Sequence, residues 1–226
     1  MTRPTSVMFD VDGVLLDSLT PHLKICEDKN LEYGLGLSIP DADDLKRMVR
    51  LGVKISPMKF FFEAVGFPSH YADMAFAQYK ETFLRDYAPK PFPEIGEMLS
   101  KLASEGFILG IVTSNVRSNL DKALGASMSF FRTELIFTKD DSSSDSKTDA
   151  LLSTARKLGV DVGKIIYVGD QPADWIAAKE AGVRFLGVTY GWGISAEDSE
   201  FPVVRSVMGI AERILGMSAS LPTGGF

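Results

Sequence analysis

The chain is expected to fold as a doubly wound, Rossmann-like α/β core with an inserted helical unit. Three observations carry that expectation. Apolar, strand-like runs alternate with amphipathic helical patterns over residues 1–17 and 92–226, as in a parallel sheet covered on both faces. Residues 18–91 show helical patterning and no convincing strand. Acidic and hydroxyl side chains stand at the ends of several apolar runs, and open parallel sheets build their sites at that carboxyl edge.

The first strand is Ser6 to Phe9, an apolar run that ends in Asp10-Val11-Asp12-Gly13. Residues i and i+2 share a face in an extended chain. Asp10 and Asp12 therefore converge if the strand continues, or take separate roles if Gly13 opens a turn. Carboxylates held together repel unless a cation or a proton is shared between them. Taken alone, the motif also suits a plain acidic turn, since Asp and Gly favour turns.

The inserted unit follows, with helical patterns at Leu19 to Tyr33, Ala42 to Leu51, Pro57 to Val65 and Ser69 to Tyr87. Phe60-Phe61-Phe62 is expected to form its core, and Pro89 to Pro93 a stiff return linker. The later strands are Phe107 to Val112, Glu134 to Phe137, Lys164 to Val168 and Val183 to Val188. Helices are expected at Pro93 to Glu105, Arg117 to Leu124, Thr148 to Leu158 and Ala173 to Ala181. Gly106, Gly125, Gly159 and Gly182 stand just past their last apolar turns, where helices stop. Asp140 to Lys147 reads as a polar loop, and the tail from Ser218 to Phe226 is expected to be loosely held.

Composition bounds the function. With 226 residues, of which 45% are hydrophobic, the chain suits one large domain or a core with an insertion. The net charge of −6 supplies no basic field for nucleic acid. Cys26 is the single cysteine, so no intrachain disulfide can form, in keeping with a reducing cytosol. No apolar stretch approaches a membrane span, and a cytoplasmic location is the expectation. His22 and His70 are the only histidines, which argues against a histidine-rich metal site.

Three more polar positions follow later strands. Thr113-Ser114-Asn115 ends the Gly110-Ile111-Val112 run; the hydroxyl suits an anion, and Asn115 is read as a helix cap. Lys147 starts a helix after the Ser/Asp loop, where from position alone a surface lysine is the plainer reading. Gly169-Asp170-Gln171-Pro172-Ala173-Asp174 sets two acids four apart across a helix start, and Pro172 suits its first turn. Carboxylates are tolerated there, but two of them exceed what capping asks for.

This ordered set of Asp10-x-Asp12, Thr113, Lys147 and Asp170-x-x-x-Asp174 resembles the haloacid dehalogenase-like superfamily, over nearly the whole chain. Gly187 to Trp192 and Ala177 to Gly182 resemble its phosphoglycolate-phosphatase-like branch, and residues 18–91 lie where that superfamily carries a helical cap. The resemblance implies a phosphatase acting on a small phosphorylated metabolite, phosphoglycolate- or sugar-phosphate-like. Asp10 would be the nucleophile and Asp12 the acid/base. Mg²⁺ would be held by Asp10, the Asp12 backbone carbonyl and Asp170, with Asp174 behind them. Thr113, Ser114 and Lys147 would bind the phosphoryl group. His22, Arg50 and Lys54 are candidate substrate contacts in the cap. Lys147 precedes Thr148, where the superfamily commonly has proline, and Lys139 is a rival for its role. Dehalogenase and phosphonate-cleaving relatives lack the second acid of the first motif, so Asp12 counts against both. β-Phosphoglucomutase relatives keep every core residue and form the alternative.

Overall fold

In a computed structural model, which describes residues 4–141, 146–198 and 200–219, the core is a six-stranded parallel sheet. The elements run β1 (Ser6–Phe9), β2 (Leu16–Asp17), α1 (Leu19–Tyr33), α2 (Ala42–Arg50), α3 (Met58–Ala64), α4 (Ser69–Asp86), β3 (Lys90–Pro91) and α5 (Ile95–Ser104). They continue as β4 (Ile108–Val112), α6 (Arg117–Leu124), β5 (Phe131–Phe137), α7 (Lys147–Leu158), β6 (Ile165–Gly169), α8 (Pro172–Ala181), β7 (Arg184–Val188), β8 (Val203–Val204) and α9 (Val207–Ala219). The sheet order is β5-β4-β1-β6-β7-β8. The chain builds outward from β1 on one side, then crosses back to build the other. That reversal places β1 at the switch point, where the crevice of an open α/β sheet lies.

β1 is buried along its whole length because both neighbours and both faces cover it. Its side chains alternate between two cores. Val7 and Phe9 join Leu109, Ile111, Ile166 and Val168 under α5, α6 and α9. Met8 joins Val112, Leu135 and Tyr167 under α7 and α8. The Met8 side needs a glycine opposite, since a Cβ on Gly110 would stand 2.5 Å from Met8 Cε and 2.7 Å from the Leu135 carbonyl oxygen.

Helices α1 to α4 make the inserted unit, and they bury a separate core of Ile25, Cys26, Leu45, Phe61, Phe62 and Phe83, with Trp192 of the main core packed into it. Phe60 departs from expectation: it is 39% exposed, whereas Phe61 and Phe62 are fully buried. Three successive residues sweep about 200° around a helix, so all three cannot face one core. The return linker departs as well. Lys90 and Pro91 form β3, antiparallel to β2 through Leu16↔Pro91 and Asp17↔Lys90. The two strands by which the chain leaves and re-enters the core are thus tied to each other.

β5 starts at Phe131, ahead of the expected Glu134, because Arg132 and Thr133 are exposed on this edge strand and read as loop. The short edge strand β8 and helix α9 were not anticipated. Residues 142–145 of the polar loop and 220–226 of the tail lie outside the described residues. No helix among the described residues is long and apolar enough to cross a membrane.

Gly110→Ala should cost roughly 1–3 kcal/mol of stability in urea unfolding, because overpacking meets an immobile backbone carbonyl. A stability equal to that of the parent chain would show that the sheet yields at this point.

Candidate active site

At the carboxyl edge of the sheet, β1, β4 and β6 each deliver polar groups to one place. Asp10 directly follows β1 and extends its ladder, its N–H donating to the Val168 carbonyl at 2.9 Å. The chain then turns sharply: Gly13 N donates to Leu16 O, and Leu15 N and Leu16 N donate to Val11 O, each at 2.9 Å. Gly13 takes φ +79°, and a Cβ there would fall 2.1 Å from Asp170 Oδ2. Only glycine lets the Asp12 loop lie on Asp170. Gly13 therefore opens a turn, and Asp10 and Asp12 take different environments.

Asp10 is buried, and its Oδ2 accepts from Lys147 Nζ at 2.8 Å. Lys147 Nζ also donates to Asp174 Oδ1 at 2.7 Å. Lys147 thus crosses from the start of α7 to pair with Asp10 across 137 positions of sequence. Its rival Lys139 is exposed on the rim of the same cavity, with its backbone N–H bonded to the Asn115 carbonyl.

Asp12 is half-buried, and its Oδ2 accepts from Asn115 Nδ2 at 2.9 Å. Asn115 was expected to cap the next helix, but the residue at that cap is Val116. The Asn115 side chain instead spans the site: its amide holds Asp12, and its Oδ1 accepts from Val116 N and Asn119 Nδ2, both at 2.8 Å. The sequence carried a trace of this, since Asn115 stands just past the apolar run that ends at Val112.

Asp170 is fully buried just past β6. Its Oδ2 accepts from Trp192 N at 2.6 Å, while Oδ1 has no partner. Asp174 does two jobs. Its Oδ2 accepts from Asp170 N at 3.2 Å and Gln171 N at 3.1 Å, completing a capping box on α8. Its Oδ1 faces Lys147 and the Tyr167 hydroxyl. Tyr167, missed in the sequence, lies with its hydroxyl 3.1 Å from the Val112 carbonyl and 3.2 Å from Asp174 Oδ1. The only signal for it was a phenol within an otherwise apolar run, Ile165-Ile166-Tyr167-Val168.

Thr113 is buried after β4, and its Oγ1 accepts from Asn115 N at 3.2 Å. Thr113 and the exposed Ser114 both border the cavity that holds Asp10, Asp12 and Lys147. His22 borders it from the insertion side, its ring bonded to the Ser18 carbonyl and, at 3.1 Å, to the Tyr79 hydroxyl. Asp12 is therefore held by Asn115. Arg50 and Lys54 are exposed and stand outside the cavity lining.

The electrostatics follow from burial. Desolvation pushes the Asp10 carboxyl up to about 7, against the pull of Lys147. Burial, then Asp174 and Asp10, holds Asp170 well above the ordinary carboxylate range. Burial also works against the Lys147 ammonium, but Asp10 and Asp174 more than offset it and raise its pKa. Asp10, Asp170 and Asp174 each offer an oxygen within 4.8 Å of the others'. One ammonium cannot neutralise three carboxylates; a hard divalent cation with oxygen ligands would. The unpartnered Asp170 Oδ1 fits such an ion.

Residues 7–188 match the family described as haloacid dehalogenase-like hydrolase. The chain belongs to that family. It is 30% identical to a phosphoglycolate phosphatase of Neisseria meningitidis, over 92% of this chain and 93% of that one. It is 26% identical to an N-acetylmuramic acid 6-phosphate phosphatase of Pseudomonas putida, over 87% of each. The structure of a putative phosphatase from Clostridium difficile superposes with a TM-score of 0.72 at 26% identity, covering 95% of this chain and all of that one. Membership of this haloacid dehalogenase-like family makes the chain a hydrolase with a Rossmann-like core and a helical insertion, as the sequence led one to expect.

Lys147→Met should leave buried carboxylates without their cation. With a chelator present, urea unfolding at pH 7 should show a loss of about 3–5 kcal/mol. Acids whose pKa is raised in the fold regain stability as they take up protons, so the loss should shrink toward pH 5. A loss unchanged with pH would mean that Lys147 acts through packing alone.

Proposed function

We propose that this hydrolase is a Mg²⁺-dependent phosphatase of small phosphate monoesters, working through a phosphorylated Asp10. The observation that carries the reading is the Asp10–Lys147–Asp174 chain beside the unpartnered Asp170 Oδ1, at the mouth of a cavity bordered by Thr113 and Asp12. A buried carboxylate beside an ammonium, a hydroxyl and a cation site suits phosphoryl transfer, where charge on the transferring group must be neutralised.

In this reading a carboxylate oxygen of Asp10 attacks phosphorus in line, and the bond to the substrate's alcohol oxygen breaks. Asp12 gives its proton to the departing alkoxide, then takes one from the water that attacks the phosphoryl-Asp10. That second attack breaks the bond between phosphorus and the Asp10 oxygen, releasing inorganic phosphate and restoring the carboxylate. Half-buried Asp12, steadied by Asn115, can reach both the cavity and solvent. Lys147, Thr113 and the Ser114 backbone N–H hold the phosphoryl oxygens, while Asp174 and Tyr167 keep Lys147 aimed at Asp10. Mg²⁺, bound by Asp10, Asp170 and the Asp12 carbonyl, would draw charge from the phosphoryl group. Residues 18–91 form the cap over this centre, joined through the β2–β3 crossing.

Asp10→Asn should reduce Mg²⁺-dependent hydrolysis of an aryl phosphate to background, with no acid-stable phosphoprotein trapped; turnover surviving in that variant refutes the nucleophile assignment. The pH dependence of metal affinity is a second check. Because Asp10 keeps its proton up to about pH 7, Mg²⁺ must displace it below that point. Calorimetry should show apparent affinity falling by at least tenfold per pH unit below 7, since Asp170 is held above the ordinary range as well. An affinity flat between pH 5 and 8 would speak against Asp10 as a ligand.

A further inference from the structure

The cavity, of about 830 Å³, has two chemically different ends. The core end carries Asp10, Asp12, Thr113 and Lys147. The opposite end is walled by Ile55, Met58, Phe61, Phe76, Tyr79 and Phe83, and Trp192 joins them from the core. On that side the polar side chains among the described lining residues are those of Ser56, His22 and Tyr79. His22 and Tyr79 bond to each other, and the second ring nitrogen of His22 is engaged by Ser18. Burial pushes the His22 imidazole below its ordinary pKa, so it is neutral near pH 7.

Among the described lining residues, positive charge is confined to the other end. The lysines among the described lining residues are Lys139 and Lys147, both on core elements. Lys139 is anchored through its backbone to Asn115, beside the Thr113 loop. A carboxylate or second phosphate pushed against the rings of α3 and α4 would lose its hydration with no cation among the described lining residues to replace it. A flat apolar group would gain ring contacts there.

We infer that the monoester's alcohol is uncharged and presents an aromatic or other flat apolar face to the rings of α3 and α4. The inference rests on the phosphatase reading for the phosphoryl end and narrows its substrate class. Phosphoglycolate, whose alcohol carries a carboxylate, is set apart as a poor substrate.

The test compares benzyl phosphate, ethyl phosphate and 2-phosphoglycolate with the intact enzyme and Mg²⁺, since all three leave as alkoxides. Benzyl phosphate should exceed ethyl phosphate in kcat/KM by about tenfold or more, the scale on which apolar pockets discriminate, and phosphoglycolate should fall below both. Phe76→Ala should shrink the benzyl-to-ethyl ratio, a readout that a general loss of activity leaves unmoved. Calorimetry with the non-hydrolysable 2-phenylethylphosphonate and 3-phosphonopropionate measures the same preference without turnover. If no monoester is hydrolysed, the phosphatase reading fails, while this binding comparison still decides the inference. Equal or tighter binding of 3-phosphonopropionate, faster turnover of phosphoglycolate, or an unchanged ratio in Phe76→Ala would overturn it.

Discussion

Three buried carboxylates share one ammonium at the edge of the sheet, and much else in the structure answers to that imbalance. Asp10, Asp170 and Asp174 come from two strands and a helix start, and each lies in a dry environment. Burial alone disfavours their charged forms. Lys147 relieves part of the repulsion, and Asp174 spends its second oxygen on backbone N–H groups. Asp170 Oδ1 remains without a partner. A cluster of this kind is unfavourable as a structural device and makes sense as a receptor for positive charge.

The fold supplies that cluster through close approach of backbone. β1 lies between β4 and β6, so the residues just past all three strands project into the same crevice. The approach is tight enough that side chains are excluded at two crossings. Gly13 lies on Asp170 Oδ2, and a Cβ on Gly191 would sit 2.3 Å from the Asp170 Cβ. Trp192, next in the chain, donates its backbone N–H to Asp170 and turns its ring into the core of the inserted helices. A single segment thus positions a carboxylate and anchors the unit above it.

The inserted helices bring a different chemistry. Their core is rich in aromatic rings, and the face turned toward the crevice carries several of them, while Arg47 and Arg50 of α2 are exposed to solvent. A charged centre thus meets an apolar wall across one cavity. Entry and exit strands joined as an antiparallel pair keep the two units in register while leaving few covalent links between them.

From sequence alone, the fold class, the five long strands of the sheet, the helix ends and the order of Asp10, Asp12, Thr113, Lys147, Asp170 and Asp174 were legible, because hydrophobic periodicity and breakers are local properties of the chain. Local pattern failed where the environment was decided elsewhere. Arg132 and Thr133 form strand because an edge leaves one side in water. Phe60 faces out because the helix turns it away, and Lys90 and Pro91 pair with β2 only when the chain returns. The roles of Asn115 and Tyr167 left only faint traces for the same reason: Asn115 meets Asp12 across 103 positions, and Tyr167 meets Val112 across 55. Sequence thus determined which chemical groups reach the sheet edge. Distances between those groups, and the neutral rings facing them, were set by packing, since hydrogen bonds and burial depend on neighbours that only the folded chain brings together.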